Sequence, residues 1–333
     1  MKRLAYLTAI AGLVLLTALV AHEGWADILS AFERAGWALL LVVPARLVTL
    51  ALDSRAWRVL LDPFDPARVA GPLFLLWVAS VREAVSRLLP VAGIGGEVVG
   101  VRLARVRIPD TTALCASVIV EVLVTIVVIY LFCGIGVVLM AQLTAGLGQV
   151  RIVGASLLLS LPLPVLVWWL LRHSAPFRRL ERCAVRMLGP QNQIALHLDG
   201  TRLDAEIKRL FEQRGRLVCA MGLVLLAYLL GTFETWYALY LLGHPVSLQA
   251  AIAIEALTQA TRHASFLVPA GLGVQEAAVL LFGHLAGVGG DVALSLALVK
   301  RMREIMLGIP ALLSWQWFET RQLRLRNTAG TER

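Results

Sequence analysis

Residues 86–105 read SRLLPVAGIGGEVVGVRLAR, directly after the apolar run GPLFLLWVAS at 71–80. A lipid-facing helix does not combine Pro90, glycines at 93, 95, 96 and 100, and the ionisable Arg87, Glu97 and Arg102. Proline removes an amide donor and clashes with the preceding turn, and glycine weakens the helix around it. The stretch is either a loop between two spans or a broken helix held inside the bilayer.

A second stretch, SFLVPAGLGVQEAAVLLFG at 265–283, repeats its features. Ser265 lies 179 positions after Ser86, and the same offset carries Leu88 to Leu267, Pro90 to Pro269 and Glu97 to Glu276. It also carries Thr112, at the start of one apolar segment, to Asp291, at the start of another. The order span, span, broken pair, span therefore occurs twice. If each broken pair enters and leaves on one side, an odd number of crossings separates the halves and the second is inverted, as in many transporters. Non-helical backbone at membrane depth survives only when covered by protein or facing a wet cavity. That favours two re-entrant hairpins over a kinked eight-helix bundle.

The composition fits a membrane protein. Of 333 residues, 59% are hydrophobic and 16% charged, against roughly a quarter charged in a globular domain. The net charge of +9 is accounted for by cations in loops and at the C-terminus, on the positive-inside rule. No aromatic-interleaved basic patch accompanies them, so nucleic acid is not an expected partner. The four cysteines have no CxxC pairing, the six histidines no HExxH spacing, and no GxxxxGK[ST] loop is present. No metal, nucleotide or other cofactor is expected.

The expected fold is an all-α polytopic membrane protein with about six full spans and two broken hairpins. Residues 1–145 form the first repeat, with its hairpin at 70–104. Residues 146–320 form the second, with a basic connector at 172–216 and a hairpin at 248–289, and 321–333 is a basic tail. The spans fall near 4–21, 36–54, 111–140, 152–171, 217–242 and 292–318. The first begins beside Lys2 and Arg3, which puts both termini and the connector in the cytoplasm. It reads as an uncleaved span, with a cleaved signal peptide as the alternative. Trp25, Ile28, Leu29 and Phe32 share one helical face after it, as an interfacial helix or an ordinary loop helix. In the connector, Leu203, Ile207, Leu210 and Phe211 form one apolar stripe, which suits a helix on the cytoplasmic surface. Pro63 and Pro66 end the second span in a turn.

Seven acidic and seven basic residues lie within the apolar segments: Arg46, Arg82, Glu83, Arg87, Glu97, Glu121, Glu234, Glu255, Arg262, Glu276, Lys300, Arg301, Arg303 and Glu304. At a helix centre each charge costs about 2.5–3.5 kcal/mol, so these groups must pair or face water. Two roles compete: ion pairs that hold the repeats in register, and a transport site. In the second, Arg87, Arg262, Lys300, Arg301 and Arg303 receive an anionic head group, while Glu97 and Glu276 take up protons or close the route.

The segments LLPVAGIGGEVVGVR and PAGLGVQEAA resemble the lysylphosphatidylglycerol synthase transmembrane, or flippase-like, superfamily. VPARLVTLALDSRAWRVLL and LALVKRMREIMLGIPALLSWQ are similar to its hopanoid-biosynthesis-associated HpnL branch. The resemblance implies the handling of a membrane lipid, a hopanoid or another envelope lipid, at the cell membrane. Candidate positions carried over are Pro90, Gly95, Gly96, Glu97, Arg102, Pro269, Gly271, Gly273, Glu276 and Arg303, and Glu121 joins them as a charge inside a span. Ala270 and Arg87 depart from the family pattern, and the soluble transferase domain of full-length synthases is absent from this sequence. Three functions remain open: a lipid transporter, a noncatalytic subunit scaffolding hopanoid-synthesis enzymes, and an intramembrane lipid-modifying enzyme with Glu97 or Glu276 as base.

Overall fold

The computed structural model describes residues 40–89, 95–143, 154–155, 158, 162–179, 199–265, 268 and 273–331. Among them the chain is helical, with no strand. The helices are α1 (Val42–Leu61), α2 (Pro72–Leu88), α3 (Gly95–Ala104), α4 (Thr111–Leu143), α5 (Pro162–His173), α6 (Gly200–Glu212), α7 (Arg214–Leu241), α8 (Leu248–Ala264), α9 (Val274–Leu285) and α10 (Gly290–Thr331). The expected first span, the interfacial helix after it, Pro90, Pro269 and Gly271 lie outside the described residues.

Two described helices, α4 and α7, are both long and apolar enough to cross a membrane. The others fall short of that pattern for visible reasons. At 17 residues each, α2 and α8 are short, while α1 and α10 carry clusters of charge in their bodies. Leu131, Ile135 and Val138 of α4, and Val218, Leu230 and Phe233 of α7, are exposed. A helix with an apolar outer face as well as an apolar inner one suits lipid rather than water.

The offset of 179 that aligned the motifs also aligns the helices. It carries Gly95 to Val274 and Thr111 to Gly290, the first residues of α3 and α9 and of α4 and α10. It likewise places α1 within α7 and superimposes most of α2 on α8. The halves pack crosswise, α2 on α10 and α8 on α4, while the corresponding helices α1 and α7 pack on each other. On the first seam the Trp77 indole donates to Ser314 Oγ at 2.9 Å. The offset maps that pair onto Ala256 and Ile135, and on the second seam Gly136 faces Ala256.

The directions follow from the contacts. Val42 shares a buried cluster with Ala238, Leu239 and Leu242, and Ala56 and Leu60 share another with Leu217, Ala220 and Val224. Arg216, near the start of α7, donates to Val59 O at 3.1 Å and Asp62 Oδ2 at 3.2 Å, beside the end of α1. The corresponding helices α1 and α7 therefore run antiparallel.

The apolar stripe of α6 turns toward protein. Ile207, Leu210 and Phe211 are buried against α4 and α5, with the Trp168 and Phe211 rings 4.7 Å apart. Arg202 and Arg209 on its other face are exposed. Asp199 caps the helix by accepting from the Arg202 amide at 2.9 Å, satisfying one orphan donor.

The turn between α1 and α2 closes on Asp65, which accepts from Arg58 Nη1 at 2.7 Å and from the amides of Val69 and Ala70 at 2.9 and 3.0 Å. Burial alone would raise this carboxyl, but Arg58 and the two amides outweigh it and hold it below the usual carboxylate range. The ion-paired form thus adds stability at neutral pH, which is lost as acid protonates it below the normal carboxylate range. Asp65→Asn is expected to cost about 1.5–3 kcal/mol, the worth of a charged hydrogen bond. Unfolding in detergent at pH 7 and again at pH 3 checks this, because the gap between variant and parent should narrow in acid.

Candidate functional site

The buried charges fall into three groups, one around Arg82, one around Glu304 and the separate pair of Lys300 with Glu255. In the first half Arg82 is the hub. Its guanidinium pairs with Glu97 of α3 and, at 3.0 Å, with Glu121 of α4. It lies 4.8 Å from the centroid of the Trp57 ring, and Trp57 is anchored by donating to Ser117 Oγ at 3.2 Å. Helix α3 comes this close to α2 because of two glycines one turn apart. A Cβ on Gly96 would collide with Ser86 Oγ and the Arg82 carbonyl, and one on Gly100 with the Arg82 side chain.

In the second half Glu304 is the hub, its side chain only 2% exposed. It accepts from Arg87 at 3.1 Å and Arg301 at 2.9 Å, and lies 3.8 Å from Arg303. Arg301 also donates to Glu276 of α9 at 2.9 Å, and Arg303 pairs with Glu234 of α7. Arg87 reaches back to Glu83 at 3.5 Å, which Arg46 holds at 2.5 Å. Lys300 pairs separately with Glu255, which also accepts from Thr235 at 2.5 Å and Gln259 at 2.8 Å. A charge buried alone costs several kcal/mol, so the membrane tolerates this set because opposite signs meet.

The carboxylates near the starts of α3 and α9 are thus each neutralised by an arginine, Glu97 by Arg82 and Glu276 by Arg301. The arginines differ in origin: Arg82 stands on the helix before the break, Arg301 on the helix after it.

Most of the sequence candidates converge here. Arg87, Glu97, Glu121, Glu276, Lys300, Arg301 and Arg303 belong to these pairs, Gly95 begins α3, and Gly273 caps α9 with φ +77°, a conformation natural to glycine. Arg102 stands apart, its side chain 67% exposed and paired at 2.9 Å with Glu319. Arg262, half-buried near the end of α8, joins no carboxylate among the described residues. Sequence reasoning passed over Asp53, in the body of α1 and within electrostatic reach of Arg46, Glu83, Arg82 and Arg87. A carboxylate inside an apolar run was its signal.

A cavity of about 260 Å³ opens beside this network, between α1, α2 and α10. Arg46, Glu83, Arg87, Arg303 and Glu304 supply its charges, and Leu47, Leu50 and Leu307 part of its apolar wall. Leu47 is 41% exposed on the outer face of α1, so the cavity lies next to the surface that lipid would cover.

Apolar outer faces around paired interior charges, with a cavity where α1, α2 and α10 meet, define a helical integral membrane protein. Residues 4–311 match the family described as Lysylphosphatidylglycerol synthase TM region. The chain belongs to that family, whose subject is membrane lipid. Neither a curated protein nor a solved structure matches it.

Proposed function

We propose that this protein moves a membrane lipid across the bilayer, a flippase-like role within the hopanoid-associated branch of its family, acting on a hopanoid or another envelope lipid. It works without catalysing a reaction. The chain crosses the inner membrane about six times, with α2–α3 and α8–α9 as re-entrant hairpins and both termini in the cytoplasm. The halves 1–145 and 146–320 are inverted copies.

One observation carries the reading: corresponding helices α1 and α7 pack antiparallel, and the paired charges gather where α2 crosses α10. A two-fold axis along the membrane normal would make corresponding helices parallel, whereas an axis in the membrane plane makes them antiparallel. Inverted repeats around a polar midplane site suit alternating access. The head group would pass through the polar crossing while the tails stay in lipid, and exchange of ion pairs would accompany the rocking of the halves.

In reconstituted vesicles the protein is expected to speed the transfer of labelled lipids, hopanoids included, between leaflets relative to protein-free controls. Glu97→Gln and Glu276→Gln should remove that acceleration at unchanged protein level. No acceleration with any envelope lipid, with or without a proton gradient, would overturn transport. Copurification with hopanoid-synthesis enzymes would then favour a scaffolding subunit, and conversion of a lipid by the purified protein an enzyme.

A further inference from the structure

We infer that the junction of α8, α9 and α10 binds one sodium ion, held by Thr258, Gln275 and Glu276. This rests on the transport reading and names an ion that would be coupled to it.

Three side chains at the junction each bury an oxygen that no hydrogen bond reaches: Thr258 Oγ1, Gln275 Oε1 and Glu276 Oε2. These residues are only 3%, 4% and 1% exposed, so bulk water does not serve them. Buried polar atoms in folded proteins are nearly always partnered, and three bare ones at one place point to a ligand.

The packing sets them at one level. Lys300 and Arg301 are consecutive on α10, and they pair with Glu255 of α8 and Glu276 of α9. Thr258 lies one turn beyond Glu255, and Gln275 precedes Glu276. Helices α8 and α9 lie side by side and run antiparallel. Leu242 and Val246, just before α8, share a cluster with Val288 and Val292, just after α9. Ile254 and Val279 belong to that cluster too. One turn from Ile254 leads to Thr258, and one turn back from Val279 leads to Gln275.

The chemistry of the three atoms selects a cation. Gln275 Oε1 and the carboxylate oxygen can only accept, and Thr258 alone carries a hydrogen of its own. Elsewhere the bare Arg303 Nε and Glu234 Oε1 are a donor and an acceptor on one ion pair, which a single water can bridge. Here oxygens meet oxygens, and hard cations take oxygen ligands. Arg301 does not compete, because both its bonds to Glu276 go to Oε1. Glu255 nearby is already met by Lys300, Thr235 and Gln259. One carboxylate with two neutral oxygens suits a single positive charge. Asp53 raises the seven intramembrane carboxylates to eight against seven cationic side chains, so one monovalent ion brings the set to neutrality. Selectivity among hard cations follows the size of the space, and a closely packed junction favours sodium over potassium. Interrupted helices commonly hold coupling ions in transporters built from repeats.

The test is sodium binding by the full chain in nonionic detergent, measured apart from lipid movement. Radiolabelled sodium should be retained at about one ion per chain, as a single native-state site requires. Unlabelled sodium should displace it, whereas potassium or choline at equal ionic strength should not. Thermal unfolding should show the same preference, since an ion bound only by the native state stabilises it. Glu276→Gln should abolish both effects. Thr258→Val keeps the shape and loses only the hydroxyl, so it should weaken sodium binding several-fold even if Glu276→Gln fails to fold. Arg209→Gln, on the exposed face of α6, should leave binding unchanged. Equal displacement by potassium or choline overturns the site, and so does undiminished binding in both Thr258→Val and Gln275→Leu. Uptake of a proton that Glu276→Gln abolishes, with no sodium retained, would overturn it in favour of a proton. Lipid movement without sodium binding would refute this site and leave transport standing. Sodium binding by a protein that moves no lipid would do the reverse.

Discussion

Glu304→Gln is expected to lower stability in detergent by about 3–5 kcal/mol, the cost of removing one partner from a buried charge pair. Glu304 is one carboxylate shared by three arginines from two helices, Arg87 on α2 and Arg301 and Arg303 on α10. Glutamine keeps the shape and one acceptor oxygen but no charge. Arg301 retains Glu276 and Arg303 retains Glu234, so Arg87 suffers most, left with the loose contact to Glu83. The lost pair also joins α2 to α10, one of the seams between the halves. Glu319→Gln is the natural comparison. Its partner Arg102 is 67% exposed, and an exposed pair is worth about 0.2–1 kcal/mol. Urea or thermal unfolding of both variants decides the point: similar losses would mean that the Glu304 cluster is wet enough to behave as a surface pair.

The breaks between α2 and α3 and between α8 and α9 were legible because their signals are local and recur. Pro90 and Pro269 with nearby glycines mark where helices break, and the offset between them also predicts where α9 and α10 begin. The sign balance of the intramembrane charges likewise showed that pairing was possible. The partners themselves were not legible. Arg87 meets Glu304 across 217 residues of sequence, and no spacing rule connects positions so far apart. Arg82 and Glu304 were visible as charges but not as hubs, because a hub is defined by how many helices converge on it. The glycines of the seams escaped notice for the same reason: Gly308 admits Leu88 and Gly136 admits Ala256, but in sequence each is one more glycine in an apolar run. Counting spans from apolar windows meets a physical limit too. The charges Lys300, Arg301, Arg303 and Glu304 interrupt the apolar run of α10, so the span expected at 292–318 is not among the described helices long and apolar enough to cross a membrane.

Gly96→Val is expected to be more damaging than any loss of a single surface pair, because it strikes the contact that builds the first hub. Gly96 and Gly100 are four positions apart and so lie on one face of α3, turned toward Arg82. Small residues at this spacing let helices in a membrane approach closely. At Gly96 the obstacle to a side chain is partly the Arg82 carbonyl, which is backbone and cannot swing aside as a long side chain would. Overpacking costs about 1–3 kcal/mol. Displacing α3 also parts Glu97 from Arg82, leaving that guanidinium with Glu121 alone. The combined loss should reach about 3–5 kcal/mol, the range for breaking a buried pair. Gly134→Ala in α4 is the matched control, since a Cβ there meets open space and alanine favours the helix by up to about 1 kcal/mol. If Gly96→Val unfolds in detergent no earlier than Gly134→Ala, the close approach of α3 to α2 is not what holds Arg82 and Glu97 together. If Gly96→Val is destabilised and Gly96→Ser only mildly less so, the limit is space against the backbone, as the geometry requires.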